Sequence, residues 1–324
     1  MKLRTCLVHA LFIGTILPAP IEGYGGYFLR HARAKGQPIQ LGCQGVIQKP
    51  GEYIFKSNGR PEGEAPTPVC VTYFIAPPDM IVEIEFLDFT ISCATMGHEG
   101  ILQIFDGMEI AGHTFPGYDH PLPHAQRYRL YCSQRNVPTE TFTSNQNVAM
   151  INTIVPATGE GYKIRVQFKK HSRPCNVYLS ASEGIYTLSN HGMRNNCSAV
   201  VSMFGPATAI VDSVNIGATI EGVVHTKEVG VSQKMASKLC LAKKKKNYAE
   251  FLYGNTIEPS YMAYSGILCG MKTNNVGLVY DLPCQMSVVR LVSSGEYYNS
   301  ITFQYGPMEQ KKVGEFSSMG ITCS

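Results

Sequence analysis

The sequence contains no tryptophan, and only 16% of its 324 residues are charged. It also lacks the motifs of common catalytic sites, since no G-x-S-x-G, H-E-x-x-H, P-loop or G-x-G-x-x-G pattern occurs. Beyond the N-terminus, no stretch approaches the roughly 18 apolar residues of a transmembrane helix. The net charge of +4 gives no electrostatic reason to expect nucleic acid or a membrane as a partner. We therefore expect no enzyme, no cofactor and no membrane span.

The N-terminus has the layout of a signal peptide. Lys2 and Arg4 form a short basic region, an apolar stretch follows over residues 7–17, and Pro18-Ala19-Pro20 resembles a cleavage zone. We predict a signal peptide over residues 1–19, with the latest cleavage position at about residue 25. An N-terminal segment over residues 20–42 follows it. The mature protein is therefore expected to be secreted and extracellular.

The cysteines suggest a duplicated domain. Four of them (Cys43, Cys70, Cys93, Cys132) are followed one domain later by four more (Cys175, Cys197, Cys240, Cys269), and a last pair is Cys284 and Cys323. An even set behind a secretory signal indicates disulfides rather than metal ligands. Pairing of neighbours keeps every bridge within one domain and predicts Cys43–Cys70, Cys93–Cys132, Cys175–Cys197, Cys240–Cys269 and Cys284–Cys323. Many other connectivities remain open. The predicted domains span 43–172 and 173–324.

The apolar pattern is that of β-strands. Residues 162–169 and 300–305 alternate between apolar and polar without error, as strands with one wet face do. In residues 82–91 the alternation changes phase, which indicates either a β-bulge or a strand that changes sheets. Asp106-Gly107 follows an apolar run and predicts a turn at a strand end. We expect an all-β protein of two tandem, disulfide-stapled β-sandwiches.

Several local features admit a sharper and a plainer interpretation. His120 and His124 have the spacing of helical zinc ligands, but two intervening prolines forbid the helix, so no metal site is expected. The Lys243–Lys246 run is either a heparan-sulfate or cleavage site or, more simply, a solvated loop. Asn196-Cys197-Ser198 is the one sequon and predicts a glycan on Asn196. Glu83 and Glu85 are interpreted as residues of a wet strand face.

The first half resembles a CUB domain, and both halves resemble the corticotropin-releasing factor-binding protein family. The CUB-like phrases are Phe86-Leu87-Asp88-Phe89, Leu102-Gln103-Ile104-Phe105-Asp106-Gly107, Tyr131-Cys132, Ser144-Asn145-Gln146-Asn147 and Gly161-Tyr162. The family resemblance adds Asp119-His120-Pro121-Leu122-Pro123, Arg127-Tyr128, Val148-Ala149-Met150-Ile151, Pro174-Cys175-Asn176-Val177, Asn196-Cys197-Ser198, residues 288–295 and Gly314-Glu315-Phe316. It runs from about Cys43 to Cys323, and the ten cysteines fit the family's five successive bridges.

The resemblance implies a fold and a function. It implies two CUB-like sandwiches that sequester a corticotropin-releasing-factor-like or urocortin-like peptide hormone, as a monomer, through a groove for one helical face. The alternative is a CUB-type adhesion or matrix protein that binds another protein or a glycan. Gly100 stands where calcium-binding CUB domains carry an acidic residue, so calcium is not expected despite Glu99 and Asp106. The peptide-binding residues are unknown. The exposed-aromatic candidates are Tyr24, Tyr27, Phe28, Tyr53, Tyr297 and Tyr298, and the plainer interpretation of each is ordinary packing or a disordered tail.

Overall fold

The computed structural model describes residues 37–59, 67–93, 100–133, 136–202, 205–217, 246–272, 276–318 and 323. The predicted signal peptide, Cys240 and Lys243–Lys245 lie outside these residues. Residues Pro38–Ser324 form one compact unit, and within it nearly all regular structure is β. The prediction of an all-β fold is confirmed.

Within the described residues, the first half of the unit contains a 3-10 turn at His124–Gln126 and twelve strands. They are β1 (Ile39–Gln40), β2 (Gln44–Ile47), β3 (Gly51–Lys56), β4 (Cys70–Ile75), β5 (Met80–Phe89), β6 (Ile101–Phe105), β7 (Met108–Ile110), β8 (His113–Phe115), β9 (Tyr128–Tyr131), β10 (Phe142–Thr143), β11 (Val148–Ile154) and β12 (Gly161–Lys170). Sheet I has the order β1-β3-β12-β5-β10 and sheet II the order β2-β4-β11-β6-β9, while β7 and β8 form a hairpin. The first sandwich thus begins at β1, a few residues before the predicted boundary at Cys43.

Alternation along each strand builds the core between sheets I and II. In β12, Tyr162, Ile164 and Val166 are at most 1% exposed, while Lys163 and Arg165 face outward. Each large apolar side chain buried in this way contributes roughly 1.5–3 kcal/mol. The predicted bulge is confirmed, because the pairing of β12 with β5 shifts register between Lys163 and Ile164.

The second half forms another sandwich. Its elements are β13 (Asn176–Leu179), β14 (Gly184–Ser189), β15 (Cys197–Ser202), β16 (Ala207–Ile216), β17 (Tyr248–Gly254), β18 (Ala263–Leu268), β19 (Gly270–Lys272), β20 (Leu278–Leu282), β21 (Met286–Val292), β22 (Ser300–Pro307) and helix α1 (Gln310–Ser318). Sheet III has the order β13-β15-β21-β17-β18; in sheet IV, β14-β22-β16-β19 are joined by β20 beside β16. The predicted strand at residues 300–305 is the core of β22, where Ile301 and Phe303 are buried.

Disulfides close loops in both sandwiches. The described residues contain Cys43–Cys70, Cys93–Cys132, Cys175–Cys197 and Cys284–Cys323. Cys269 is also disulfide-bonded, but its predicted partner Cys240 lies outside the described residues. In the chain-entropy model, a bridge that closes a loop of this size stabilises the fold by about 3–4 kcal/mol.

Candidate functional site: the junction of the two sandwiches

A buried aspartate at the end of β6 organises the first side of the junction. Asp106 is 4% exposed, and its Oδ1 accepts hydrogen bonds from the Asn145 N–H at 2.9 Å and from Gln146 Nε2 at 2.6 Å. Its Oδ2 accepts from Asn145 Nδ2 at 2.5 Å and from His120 Nε2 at 3.1 Å. Burial raises the pKa of Asp106, but the bonds from His120 and Asn145 outweigh burial and hold that pKa below its ordinary value. The carboxylate therefore fixes two loops at once.

Arg127 fastens both ends of the loop that leads into the junction. It is 2% exposed, and its guanidinium donates to the carbonyl oxygens of Asp106 (2.9 Å), Pro116 (2.6 Å) and Phe115 (3.2 Å). The guanidinium also lies 4.4 Å from the centre of the Phe105 ring. Burial lowers the pKa of Arg127 to about 10, so it remains charged at neutral pH.

The turn beneath this arginine requires glycine. Gly107 has a φ of +131°, and a Cβ there would overlap the Phe115 carbonyl and the Arg127 guanidinium. The strand β6 ends at Phe105 directly before the turn and β7 begins after it. The Asp-Gly turn predicted from the sequence is confirmed, and it places Asp106 at the junction.

Asp119, in a loop of the first sandwich, is bound by the guanidinium of Arg290 in the second. The group of Arg290 with Asp119 and Glu250 is called the fork below. Asp119 accepts from Arg290 Nε at 2.5 Å and from Nη2 at 2.8 Å, while Arg290 Nη1 donates to Glu250 at 2.7 Å. Asn196 Nδ2 and Ser198 Oγ each donate to Asp119 at 3.1 Å. Bidentate pairs of this kind are the stronger and more directional ion pairs. Burial lowers the pKa of Arg290, but the bonds with Asp119 and Glu250 outweigh it and raise the pKa.

A second polar contact crosses the junction beside the fork. Asn147, which is 1% exposed, donates through Nδ2 to the carbonyl oxygens of Ala76 and Tyr178, both at 2.9 Å, and accepts from the Tyr178 N–H at 2.8 Å. One amide therefore satisfies backbone groups of both sandwiches. Because buried backbone groups without partners are costly, this contact fixes the alignment of β13 with the end of β4.

Apolar side chains fill the rest of the junction. The first sandwich contributes strands β4 and β11 of sheet II and the β7–β8 hairpin. These pack against β13, β15, β17 and β21 of sheet III. The cluster, called the junction core below, consists of Ile75, Met108, Phe115, Val148, Tyr178, Val200, Leu252, Ile257, Met262, Met286 and Val288. All are at most 8% exposed, so the two sandwiches share a dry interface rather than a flexible tether.

A cavity of about 520 Å³ opens at the polar edge of the junction. It lies among residues 118–121 and 145–146 of the first sandwich, the connection 171–176, and residues 193–196 of the second. A cavity of this volume has room for a peptide end or a few side chains. Burial lowers the pKa of His171 in its wall, and the charges of His191 and Arg173 add to this effect.

The histidines with zinc-like spacing have separate partners. His120 bonds Asp106, whereas His124 Nε2 lies 3.1 Å from the Tyr128 hydroxyl. Among the residues that the structure describes, no group of three His, Cys, Asp or Glu side chains could hold a metal ion. Asp106 accepts hydrogen bonds from Asn145, Gln146 and His120, while Glu99 lies outside the described residues.

The other predicted residues fall in different places. Asn196 lines the cavity, and the Nδ2 that a glycan would modify donates to Asp119; glycosylation stays a prediction. Glu83 and Glu85 pair with Lys169 and Arg165 on the outer face of sheet I. Of the aromatic candidates, Tyr24, Tyr27 and Phe28 lie outside the described residues, Tyr297 is half-buried, and Tyr298 is 52% exposed. Tyr53 was wrong as an exposed candidate: it is 5% exposed, since it points inward from β3.

The fork itself was missed in the sequence, although it left a signal. Arg290 interrupts an apolar strand, and Glu250 does the same in β17, where Tyr248-Ala249 precede it and Phe251-Leu252 follow. Charged residues at the centre of apolar strands are rare unless they are paired. Two such interruptions of opposite sign indicate a buried ion pair.

Fold and junction together define a class: an all-β protein of two disulfide-bonded sandwiches locked side by side. None of the helices among the described residues is both long and apolar enough to cross a membrane. Two family models match in order, the corticotropin-releasing factor binding protein N-terminal domain over residues 39–171 and the C-terminal domain over 177–314. The chain belongs to the corticotropin-releasing factor-binding protein family, which is a family of binding proteins rather than enzymes.

Individual relatives agree with this assignment. The corticotropin-releasing factor-binding protein of Ovis aries is 30% identical over 283 residues, which cover 85% of this chain and 78% of the relative. The Homo sapiens protein is 29% identical over 308 residues, 90% of this chain and 87% of the relative. Among solved structures, the CUB1-EGF-CUB2 domains of rat MASP-1 match 81% of this chain and 99% of that chain at 10% identity, with a TM-score of 0.27.

Proposed function

We propose that this protein is secreted, binds a corticotropin-releasing-factor-like or urocortin-like peptide hormone, and limits how much of it reaches the receptor. The observation that carries the proposal is the ordered match of both family domains over residues 39–171 and 177–314. Relatives about 30% identical over most of the chain carry the name of that binding activity. Nothing in the described residues favours the adhesion alternative, and its tetralysine run lies mostly outside them.

The mechanism is mass action. Peptide held by the binder is unavailable to the receptor, and free binder at ten times its Kd leaves roughly a tenth of the peptide free. No chemical step is needed, which agrees with a junction whose carboxylates are all engaged by hydrogen bonds.

The construction of the protein supports extracellular binding. Disulfides persist in oxidising compartments, and the described residues contain four of them. A rigid junction also reduces the conformational entropy that the binder itself would lose on complex formation. Disulfides and junction together keep a binding surface in shape outside the cell, where the predicted signal peptide over residues 1–19 would direct the chain.

A receptor assay tests the proposal. Cells that express a receptor for such peptides are titrated with peptide at several fixed concentrations of the purified, oxidised protein. We expect parallel shifts of the dose–response curve to higher peptide concentration, which grow with the protein concentration. Protein that has been fully reduced and alkylated is the control and should produce no shift. Curves that stay superimposed for every peptide of the class would refute the proposal.

Two further properties belong to the proposal. We expect the chain expressed in a eukaryotic secretory host to appear in the medium with an N-terminus between about residues 20 and 26, which N-terminal sequencing would determine. We expect sedimentation of the free protein as a monomer. Retention of the intact N-terminus in the cell would contradict secretion, and a stable dimer would contradict the monomer.

A further inference from the structure

The outer face of sheet II carries no charged side chain. Inward-facing residues of this sheet, such as Phe74, Ile104 and Ile151, enter the core of the first sandwich. Because side chains alternate along a strand, the residues between them point outward. These are Gln44, Val46, Val71, Tyr73, Ile75, Ile101, Gln103, Phe105, Tyr128, Leu130, Val148, Met150, Asn152 and Ile154. A sheet face built for water normally alternates apolar-in with polar-out.

The second sandwich covers only one end of this face. Ile75 and Val148, which are register partners on β4 and β11, belong to the junction core and pack against sheet III. The next row is partly covered by the β7–β8 hairpin, since the Tyr73 hydroxyl donates to the Glu109 carbonyl at 3.0 Å. Among the residues that the structure describes, no element covers the rows beyond it, so the uncharged surface continues outward from the junction.

The uncovered part is called the open face and consists of Gln44, Val46, Val71, Ile101, Gln103, Leu130, Asn152 and Ile154. Val46 and Leu130 lie on its two edge strands and are 60% and 51% exposed. Ile154 pairs with Ile101 and Val71 pairs with Asn152, so the half-buried middle strands present aliphatic and amide side chains. An uncharged surface with two large exposed aliphatic side chains is of the kind that marks an interaction site on a folded protein.

The dimensions select the shape of the partner. Five strands about 4.8 Å apart place the edge strands about 19 Å from one another. An α-helix rises 1.5 Å per residue and is about 10 Å across, so about 13 residues of helix span that width. The absence of charge on the face suits the apolar side of an amphipathic helix, whose polar side would stay in water.

We propose that the open face binds the apolar side of an amphipathic helix of three to four turns, with its axis across the strands. The helix is supplied by the peptide hormone, so this inference rests on the proposed function. The open face has the length, the width and the lack of charge that such a helix requires.

The test is calorimetric titration of a corticotropin-releasing-factor-like peptide into wild-type protein and matched variants. Val46→Glu and Leu130→Glu place a charge at opposite edges of the open face, on side chains too exposed to be needed for folding. We expect each to weaken binding at least tenfold, while Leu130→Met stays within about twofold of wild type. The control is Ile185→Glu, which also introduces a charge at an exposed aliphatic side chain, because Ile185 is 67% exposed on sheet IV. We expect this variant to bind the peptide as wild type does.

The outcomes separate the two proposals. Wild-type binding together with unchanged binding by both glutamate variants would overturn the open face while leaving the proposed function intact. No binding by wild type to any peptide of the class would overturn the proposed function and this inference with it. Sedimentation of the same samples adds a third arm: a wild-type dimer that the glutamate variants convert to monomer, without a change in peptide affinity, would assign the face to a second copy and overturn the peptide as its occupant.

Discussion

Two arginines, Arg165 and Arg290, perform the same chemistry in two regions of the molecule. Arg165, on the outer face of sheet I, bridges Glu52 at 2.9 Å and Glu85 at 2.8 Å, and its side chain is 39% exposed. Arg290, at the junction, bridges Asp119 at 2.5 Å and Glu250 at 2.7 Å, and its side chain is 21% exposed. The carboxylate side chains differ more: Glu52 and Glu85 are 33% and 48% exposed, whereas Asp119 and Glu250 are only 7% and 3% exposed.

The difference lies in the solvent. On sheet I, water screens the charges and would replace a missing partner, so such pairs contribute little to stability. At the junction, removal of one partner leaves an uncompensated buried charge. Charged side chains therefore keep the outer face of sheet I in contact with water, and at the junction they fix the arrangement of the two sandwiches. The open face of sheet II carries none.

The largest expected effect is at the junction. Arg290→Ala leaves Asp119 and Glu250 buried without a cation, and we expect the free energy of unfolding to fall by roughly 3–5 kcal/mol. Urea unfolding followed by intrinsic tyrosine fluorescence measures this. Arg290→Lys retains the charge but loses the two-bond contact with Asp119, so its free energy of unfolding should lie between those of Arg290→Ala and wild type. Equal stabilities for Arg290→Ala and wild type would break the comparison.

An intermediate effect is expected at Asp106, with a defined pH dependence. Asp106→Asn replaces an acceptor of four hydrogen bonds by a group that must donate at one oxygen position, and we expect a loss of roughly 2–3 kcal/mol at neutral pH. The pKa of Asp106 is held below its ordinary value in the folded state. The contribution of the carboxylate is therefore present above the unfolded pKa of 3.8 and is lost as the pH falls through the folded pKa.

The measurement is a series of urea titrations from pH 7 to pH 2 on wild type and Asp106→Asn. The difference in unfolding free energy should be constant down to about pH 4 and shrink below it. A difference that widens in acid would reverse the sign of the pKa shift and contradict the hydrogen-bond assignment.

The smallest effect is expected on sheet I. Arg165→Ala removes an exposed pair of contacts, and the urea midpoint should fall only slightly, far less than for Arg290→Ala. This small shift should vanish at high salt, since screening removes it. A loss comparable with that of Arg290→Ala would show that burial is not what distinguishes the two arginines.

Local patterns in the sequence were enough to predict much of the fold. The alternation in β12, the phase change in β5 and the Asp-Gly turn after β6 are each encoded within about ten residues, because a strand repeats every two residues. The all-β class and the two sandwiches follow from such patterns. The domain resemblance followed from short phrases spread along the chain in order.

The site could not be predicted in the same way. Asp119 and Arg290 are 171 residues apart in the chain, and neither sits in a motif whose spacing reveals the other. His120 was considered for a metal because of its distance in sequence from His124, whereas the structure pairs it with Asp106 from another loop. The open face was also hidden, since β4 and β11 read as strands buried on both faces; only the register shows which outward rows are covered.

The most direct test of the account is a calorimetric titration of the oxidised wild-type protein with amidated corticotropin-releasing-factor-like peptides at several temperatures. The account predicts a one-to-one complex with a Kd near the nanomolar range, about −12 kcal/mol. It also predicts a negative heat-capacity change from burial of the apolar open face. Absence of binding heat at every temperature, for every peptide of the class, would contradict it.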